Sequence, residues 1–315
     1  MAIMATKKSP FSGEKRKLKI LLVGAEVAPY AAVGGFSQVL AYLSRELHNL
    51  GHDVRLFMPK YGFIDESEHG ISMFKEGLKV PTGEESNPYL ICNVKSSENV
   101  YGVTTYFLEN KEYYEKRANV YGYVDDPTRF SLLSKGALEF IRGGDFVPDV
   151  IHTHDWHTAT LANYMKTEYR KDTLLDDITT VFTIHNINFQ GTLDHRNVSE
   201  LDFDDGKSAV TSLFSPRLNK LNFMRRGILF SDAVNTVSKT YSREILTPEY
   251  GEGLDRLLLE LKGKVFGIVN GLDYEEFNPA TDNLIEQNYD VDSLEKRILN
   301  KSALQREFDL PVDDM

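Results

Sequence analysis

The sequence predicts an α/β protein built on a doubly wound, mostly parallel, Rossmann-like sheet, and three observations carry that expectation. Apolar runs of strand length alternate with stretches whose apolar residues recur at helical spacing. The first such unit runs strand, glycine loop, helix, glycine, strand, a βαβ crossover that sets its two strands parallel. Two later strands pass directly into clusters of imidazole, carboxylate and amide side chains. Ligands of open parallel sheets sit beyond the carboxyl ends of the strands, so polar residues released there are placed for chemistry.

Leu18 to Val23 reads as the first buried strand. Phe36, Val39, Leu40, Leu43, Leu47 and Leu50 fall on one helical face, and Gly51 caps that helix. Val54 to Met58 is the next strand, ended by Pro59. From Lys60 to Asn99 glycines and charges break any periodicity, and no regular element is expected. Val103 to Leu108 regains strand character, and Pro127 to Phe140 helical character. Asp149 to His152 is a strand, Thr158 to Tyr169 a helix and Val181 to Ile184 a strand. Residues 192–220 read as a polar loop, followed by a helix from Leu221 to Phe230. Ala233 to Val237 is a short strand, Ser238 to Leu246 begins a helix, and Val265 to Val269 is a strand closed by Asn270-Gly271. Ser293 to Phe308 is a charged helix. The domains expected are a basic disordered tail over 1–17, a Rossmann-like domain over 18–290, and a helix with linker over 291–315.

The net charge of −11 argues against nucleic acid or an anionic membrane as partner and leaves room for a neutral polymer or small ligand. Cys92 is alone, which rules out an intramolecular disulfide framework or a cysteine metal cluster and fits a reducing cytoplasm. Residues 1–17 lack the apolar core of a signal peptide. No apolar run reaches the ~18 residues of a membrane span.

The segment His152-Thr153-His154-Asp155-Trp156-His157 is the most informative stretch. Metal ligation is the weaker reading of it, because one strand exit does not aim three adjacent side chains at one ion. Polar recognition fits better, with an imidazole bonding a hydroxyl and a carboxylate fixing the imidazole. His152 reads as a satisfied core histidine and Trp156 as packing under the loop. The exit His185-Asn186, with Gln190-Gly191, adds neutral donors and acceptors that suit sugar hydroxyls. Tyr113, Tyr114, Tyr121 and Tyr123 make a tyrosine-dense loop around Arg117, either a polysaccharide surface or a solvated loop. Glu112, Glu115, Asp125 and Asp126 are assigned to solvated faces, since none is spaced as a glycosidase pair. The loop ending Gly34-Gly35 at the first helix permits either phosphate approach or a tight packing turn. The dinucleotide pattern G-x-G-x-x-G is absent, which removes the main support for a nicotinamide or flavin protein.

Together these residues resemble the N-terminal half of bacterial glycogen synthases and plant starch synthases, retaining glucosyltransferases of the two-Rossmann-domain (GT-B) type. The resemblance runs from Lys19 to Pro311. It rests on Ala25-Glu26-Val27-Ala28-Pro29-Tyr30 with Gly34-Gly35, on Tyr113 to Gly122, and on Pro148 to His157. Phe182 to Gly191, Val237 to Ile245, Gly267 to Asp273 and Asn278 to Asp282 extend it. The family's glycine loop opens with a lysine where this chain has Ala32, and Phe36 and Gln38 stand where leucine and aspartate are usual. Lys239 stands in place of a proline.

The resemblance implies transfer of glucose from ADP-glucose or UDP-glucose to the non-reducing end of an α-1,4-glucan, with no cofactor beyond that donor substrate. It implies His157 and Asp155 as catalytic residues, His157 bonding the transferring glucose and Asp155 orienting the loop. Gly34 and Gly35, with His157, would meet the donor. Tyr121, His185, Asn186, Gln190 and Asn270 would line the acceptor side, and no metal is expected. The chain stops about where the family's second Rossmann domain begins, so most nucleotide contacts are expected from a C-terminal half, either of the same protein or supplied by another chain. A non-catalytic glucan-binding or scaffolding relative is the alternative, motivated by Ala32. Arg225-Arg226 are candidates to lend charge near the donor.

Overall fold

Strands and helices alternate along the chain as the apolar periodicity requires, and one sheet gathers all the strands. The structure is a computed structural model and describes residues 16–98, 102–192, 204–210 and 212–312. The basic tail lies outside the described residues as far as position 15, as do 193–203 and 211 of the expected polar loop and 313–315 of the expected linker. The strands are β1 (Lys19–Val23), β2 (Asp53–Pro59), β3 (Ser72–Pro81), β4 (Tyr89–Glu98), β5 (Thr104–Glu109), β6 (Val150–His154), β7 (Thr179–Ile184), β8 (Ala233–Thr236) and β9 (Val265–Gly267). The helices are α1 (Phe36–Asn49), α2 (Asp126–Arg142), α3 (Asp155–Thr158), α4 (Thr160–Lys166), α5 (Thr173–Asp176), α6 (Phe223–Phe230), α7 (Tyr241–Glu244), α8 (Asp255–Glu260) and α9 (Arg297–Glu307). None of the described helices is long and apolar enough to cross a membrane.

The sheet order is β3-β4-β5-β2-β1-β6-β7-β8-β9, parallel throughout except for β3-β4-β5 at one edge. From β1 the chain first steps to β2, then returns to lay β6 on the other side of β1 and continues outward to β9. Right-handed crossovers that advance in opposite directions place α1 and α4 on opposite faces. The reversal between β1 and β6 is a topological switch point, where a crevice opens beyond the carboxyl ends. Strands β1, β2, β5, β6 and β7 supply much of the buried apolar core, with α2 (through Phe130, Leu133, Ala137 and Phe140) packed on it. Gly51, at φ 93, ends α1 in the left-handed conformation that favours glycine.

Strands β3 and β4 were not expected in the stretch from Lys60 to Asn99. They form an antiparallel edge hairpin whose register shifts at Met73/Lys75 and Lys75/Leu78 and whose outer strand is largely exposed. Bulges and exposure erase the alternation by which a strand is recognised in sequence. The polar stretch before the expected strand at 265 also holds α8.

The chain divides into two compact units, one ending at Val269 and the other beginning at Asn270. The second holds α9, preceded by a short 3₁₀ turn, and none of the side chains of α9 is buried.

Arg225-Arg226 do not offer two cations to a ligand. Arg226 is wholly buried, its guanidinium bonded to Asp204 at 2.7 Å and to the Ser208 carbonyl at 2.7 Å. Removing one partner of a buried ion pair strands the other charge, so Arg226→Ala should cost about 3–5 kcal/mol in urea unfolding. A loss below about 1 kcal/mol would show that the pair is not buried as described.

Candidate active site

The site grows from the exit of β6. His154 is the last residue of that strand, and Asp155 turns the chain into α3 with φ 53, a left-handed conformation uncommon outside glycine but tolerated by aspartate. The Asp155 carboxylate accepts hydrogen bonds from the backbone N–H of His185 at 2.8 Å and of Asn186 at 3.4 Å. One side chain therefore ties the exits of β6 and β7 together. Burial raises its pKa to about 7, opposed by those two backbone bonds.

His157, in the first turn beyond the exit, is boxed by rings. Trp156 lies at 4.3 Å, Tyr121 at 4.6 Å, Phe130 edge-on at 4.8 Å and Phe36 stacked at 6.1 Å between centroids. Its Nδ1 is buried without a partner among the described residues. An unpaired buried N–H costs more than an unpaired lone pair, so the neutral ring carries its proton on Nε2. Burial, with the Arg129 cation, lowers the His157 pKa to about 3.

The neighbouring imidazoles, on β6 and just beyond β7, make two hydrogen-bonded links. His154 Nδ1 lies 3.1 Å from His185 Nε2, and His154 Nε2 is buried without a partner among the described residues. The same reasoning makes His154 the donor from Nδ1 and His185 the acceptor. His152 donates from Nε2 to the Thr183 hydroxyl at 2.6 Å, and that hydroxyl donates to Asn235 Oδ1 at 2.6 Å. His152 is thus a satisfied structural histidine, as the sequence predicts. Burial pushes the His185 pKa down to about 4 and that of His154 well below its ordinary value.

The loop after β1 faces the same crevice edge through a residue to which sequence reasoning gave no role. Glu26 is buried, and its carboxylate accepts from the backbone N–H groups of Val33 and Gly34 and from the Tyr121 hydroxyl at 3.1 Å. Burial raises its pKa against those bonds. The one signal available was a lone carboxylate inside the apolar stretch Leu21 to Val27.

The Gly34 amide is committed to Glu26, whereas the Gly35 amide has no partner among the described residues. A Cβ at Gly35 would meet nothing within 4 Å, and its φ of −62° suits any residue. Internal packing does not account for glycine at position 35. Ala32 and Val33 stand exposed beside it.

The remaining expected residues divide. Tyr121 stacks on His157, and Asn186 is half-buried with its Oδ1 accepting from the Asn188 amide at 3.0 Å. The Gln190 side chain is engaged internally, donating to the Glu252 carbonyl at 2.9 Å and accepting from Asn222. Asn270 opens the second unit and is exposed.

Trp156 packs as expected, and Gly191 at φ 77 crosses it so closely that a Cβ there would stand 2.5 Å from the indole. Asp125 and Asp126 are not on solvated faces. Asp126 is buried against Arg129 and Asp125 pairs with Arg117, so the tyrosine loop is organised around internal ion pairs. Among the described residues no three His, Cys, Asp or Glu side chains converge as metal ligands would.

Asp155→Asn keeps an acceptor for both amides and should cost under about 1 kcal/mol in chemical unfolding, whereas Asp155→Val strands them and strains a β-branched residue, costing about 3 kcal/mol or more. Equal losses would contradict the bridging role.

Linkage gives a second expectation. Unfolded histidines titrate near their ordinary value of 6.5, but His152 and His157 stay neutral to about 3 and His185 to about 4. The unfolded chain binds more protons across that window, so stability falls as pH drops through it. Asp155 acts oppositely, since its folded carboxyl holds a proton up to about 7 against 3.8 unfolded, and Glu26, raised by burial, acts in the same direction, so their contribution is lost as pH rises. With His154 also lowered, the four histidines outnumber the two carboxyl groups. Tm followed by circular dichroism should decline from about pH 7 to about pH 5, and a rise over that interval would contradict the neutral buried imidazoles.

Residues 19–260 match the family of the starch synthase catalytic domain. A glycogen synthase of Moorella thermoacetica is 38% identical over 304 residues, covering 95% of this chain and 60% of that protein. One from Bacillus cereus is 40% identical over 294 residues, covering 93% and 60%. The catalytic domain of starch synthase IV from Arabidopsis thaliana, solved with ADP and acarbose, is similar with a TM-score of 0.75 at 29% identity over 95% of this chain and 61% of that one. The chain therefore spans about 60% of the length of these curated relatives. The mostly parallel sheet is that of the GT-B starch synthase fold. Sheet order, the histidine-bearing strand exits and a match over most of the sequence agree, and the chain belongs to the starch synthase catalytic domain family.

Proposed function

We propose that this chain is the acceptor-side part of a glycogen- or starch-synthase-type glucosyltransferase. It acts with ADP-glucose or UDP-glucose and an α-1,4-glucan, and full activity needs a C-terminal half of the kind that its relatives' greater length accommodates. In the transfer, the acceptor hydroxyl oxygen at the non-reducing end bonds to glucose C1 as the bond from C1 to the nucleoside diphosphate breaks, the electron pair of that bond leaving with the diphosphate and the hydroxyl proton passing to the departing diphosphate oxygen. The observation that carries this reading is the pairing of two strand exits by Asp155 beside a switch-point crevice, with His157 and His185 held neutral there.

His157 donates from Nε2 to a hydroxyl of the transferring glucose, and Asp155 holds the loop that aims it. Gly35 brings backbone N–H to the donor, and Gly34 is the fixed end of that loop on Glu26. His185, Asn186 and Tyr121 line the acceptor side, with Gln190 fixing the segment that follows His185 and Asn186. Uncharged donors and acceptors suit a polymer that carries hydroxyls and no charge. Stabilising the leaving diphosphate needs cations, and position 32 offers none here. The lone cysteine suits a cytoplasmic setting.

Ala32 also favours a second reading, a glucan-binding relative that does not turn over. Labelled ADP-glucose and UDP-glucose, with glycogen and a C-terminal half from a glycogen synthase, distinguish the two. Incorporation into polymer supports the transferase, retention on an amylose column without incorporation supports the binding relative, and neither result removes both. Ala32→Lys restores a charge-assisted bond worth about 1.5–3 kcal/mol, so it should raise kcat/KM for the donor roughly 10- to 100-fold. An unchanged value would mean that the loop does not meet the diphosphate.

A further inference from the structure

We propose that Phe36 is a positioning residue, holding the His157 and His185 rings in one crevice and coupling them to the glycine loop. Its ring lies 6.1 Å from that of His157 at an interplanar angle of 18°, and 5.4 Å from that of His185 at 38°. Both separations fall in the range where aromatic rings attract. The other rings boxing His157, those of Tyr121, Phe130 and Trp156, make no recorded ring contact with His185 among the described residues. Phe36 touches both.

The two imidazoles are unequally anchored. No side-chain hydrogen bond holds His157 among the described residues, and its Nδ1 has no partner there. The His185 ring is held at Nε2 alone among the described residues, by His154, itself an imidazole. A ring with one hydrogen-bonded anchor or none takes its orientation largely from packing, and small displacements of a reacting group are costly.

Phe36 is well placed to set that packing because its backbone belongs to the loop. It is the first residue of α1 and follows Gly34-Gly35 directly. The Ser37 amide and hydroxyl both bond the Gly34 carbonyl, the hydroxyl at 2.8 Å, and the Gly34 amide is held by Glu26. A shift of the loop therefore moves the Phe36 ring against both imidazoles. Leucine, usual at this position in the family, covers the rings without stacking on them. With alanine at position 32, no ammonium fixes the loop on a bound diphosphate, and the aromatic contact provides registration in its place.

The functional consequence rests on the glucan-site reading above, but the positioning itself does not. The full chain and its Phe36→Leu, Phe36→Ala and Phe36→Tyr variants would be compared by the NOE contacts of the His157 ring with Trp156 and Phe130 and of the His185 ring with His154, which report ring orientation, and by calorimetry with maltoheptaose. Phe36→Leu and Phe36→Ala should change both sets of contacts and weaken maltoheptaose about 3- to 10-fold, while Phe36→Tyr, which keeps the ring, stays near wild type. Unchanged contacts in Phe36→Leu, or an unchanged affinity where wild type binds, would overturn the proposal. If wild type does not bind maltoheptaose, the glucan reading fails, and the ring contacts still decide Phe36, changed in support and unchanged against. If Phe36→Ala does not fold, Phe36→Leu, closer to the family's own residue, carries the test.

Discussion

The Asp155 carboxylate is the contact on which the rest of the site depends. Two adjacent parallel strands end near one another in any such sheet, but the segments beyond them are free to diverge. By accepting the His185 and Asn186 amides, Asp155 fixes the β7 exit to the start of α3. The left-handed backbone at Asp155 is the local cost of that arrangement. It turns the chain sharply enough for His157 to come back toward β1 and the rings that enclose it. Without that bridge, His157 and His185 would be two polar residues on two loops.

Burial gives the site its chemical character. A chain with a net charge of −11 keeps charge out of this crevice by desolvating it. The imidazoles remain neutral, each with a proton placed by the partner, or lack of partner, of its other nitrogen. Glu26 and Asp155 resist ionisation for the same reason, yet each is surrounded by N–H or O–H donors that make an oxygen acceptor useful. Uncharged donors and acceptors of this kind suit hydroxyl groups better than anions.

The polar interior is also structural. His152, Thr183 and Asn235 join β6, β7 and β8 through side chains as well as through the backbone ladder. Arg129 anchors the tyrosine loop through Asp126 and the carbonyls of Tyr113 and Val120, so the residue that stacks on His157 is positioned by a buried cation some distance along the chain. Such networks raise the cost of any other arrangement, since each group left without its partner would be both buried and unsatisfied.

The sequence alone determined the class of the fold, the parallel pairing of β1 and β2, and the two strand exits that carry His157 and His185. Apolar periodicity reports burial, and burial on both faces is what a central parallel strand experiences. It also showed Ala32 and Phe36 as departures from a family pattern. Only the tertiary structure decided what residues distant in the chain do for one another. Glu26, Asp126 and Arg226 are charged residues of kinds usually exposed, and each is buried because a partner far along the chain or across a turn meets it. The β3–β4 hairpin escaped notice because an exposed, bulged edge carries no alternation to read. That β1 and β6 lie side by side, making the switch point, follows from chain reversal across the sheet, a long-range pairing that no local pattern encodes.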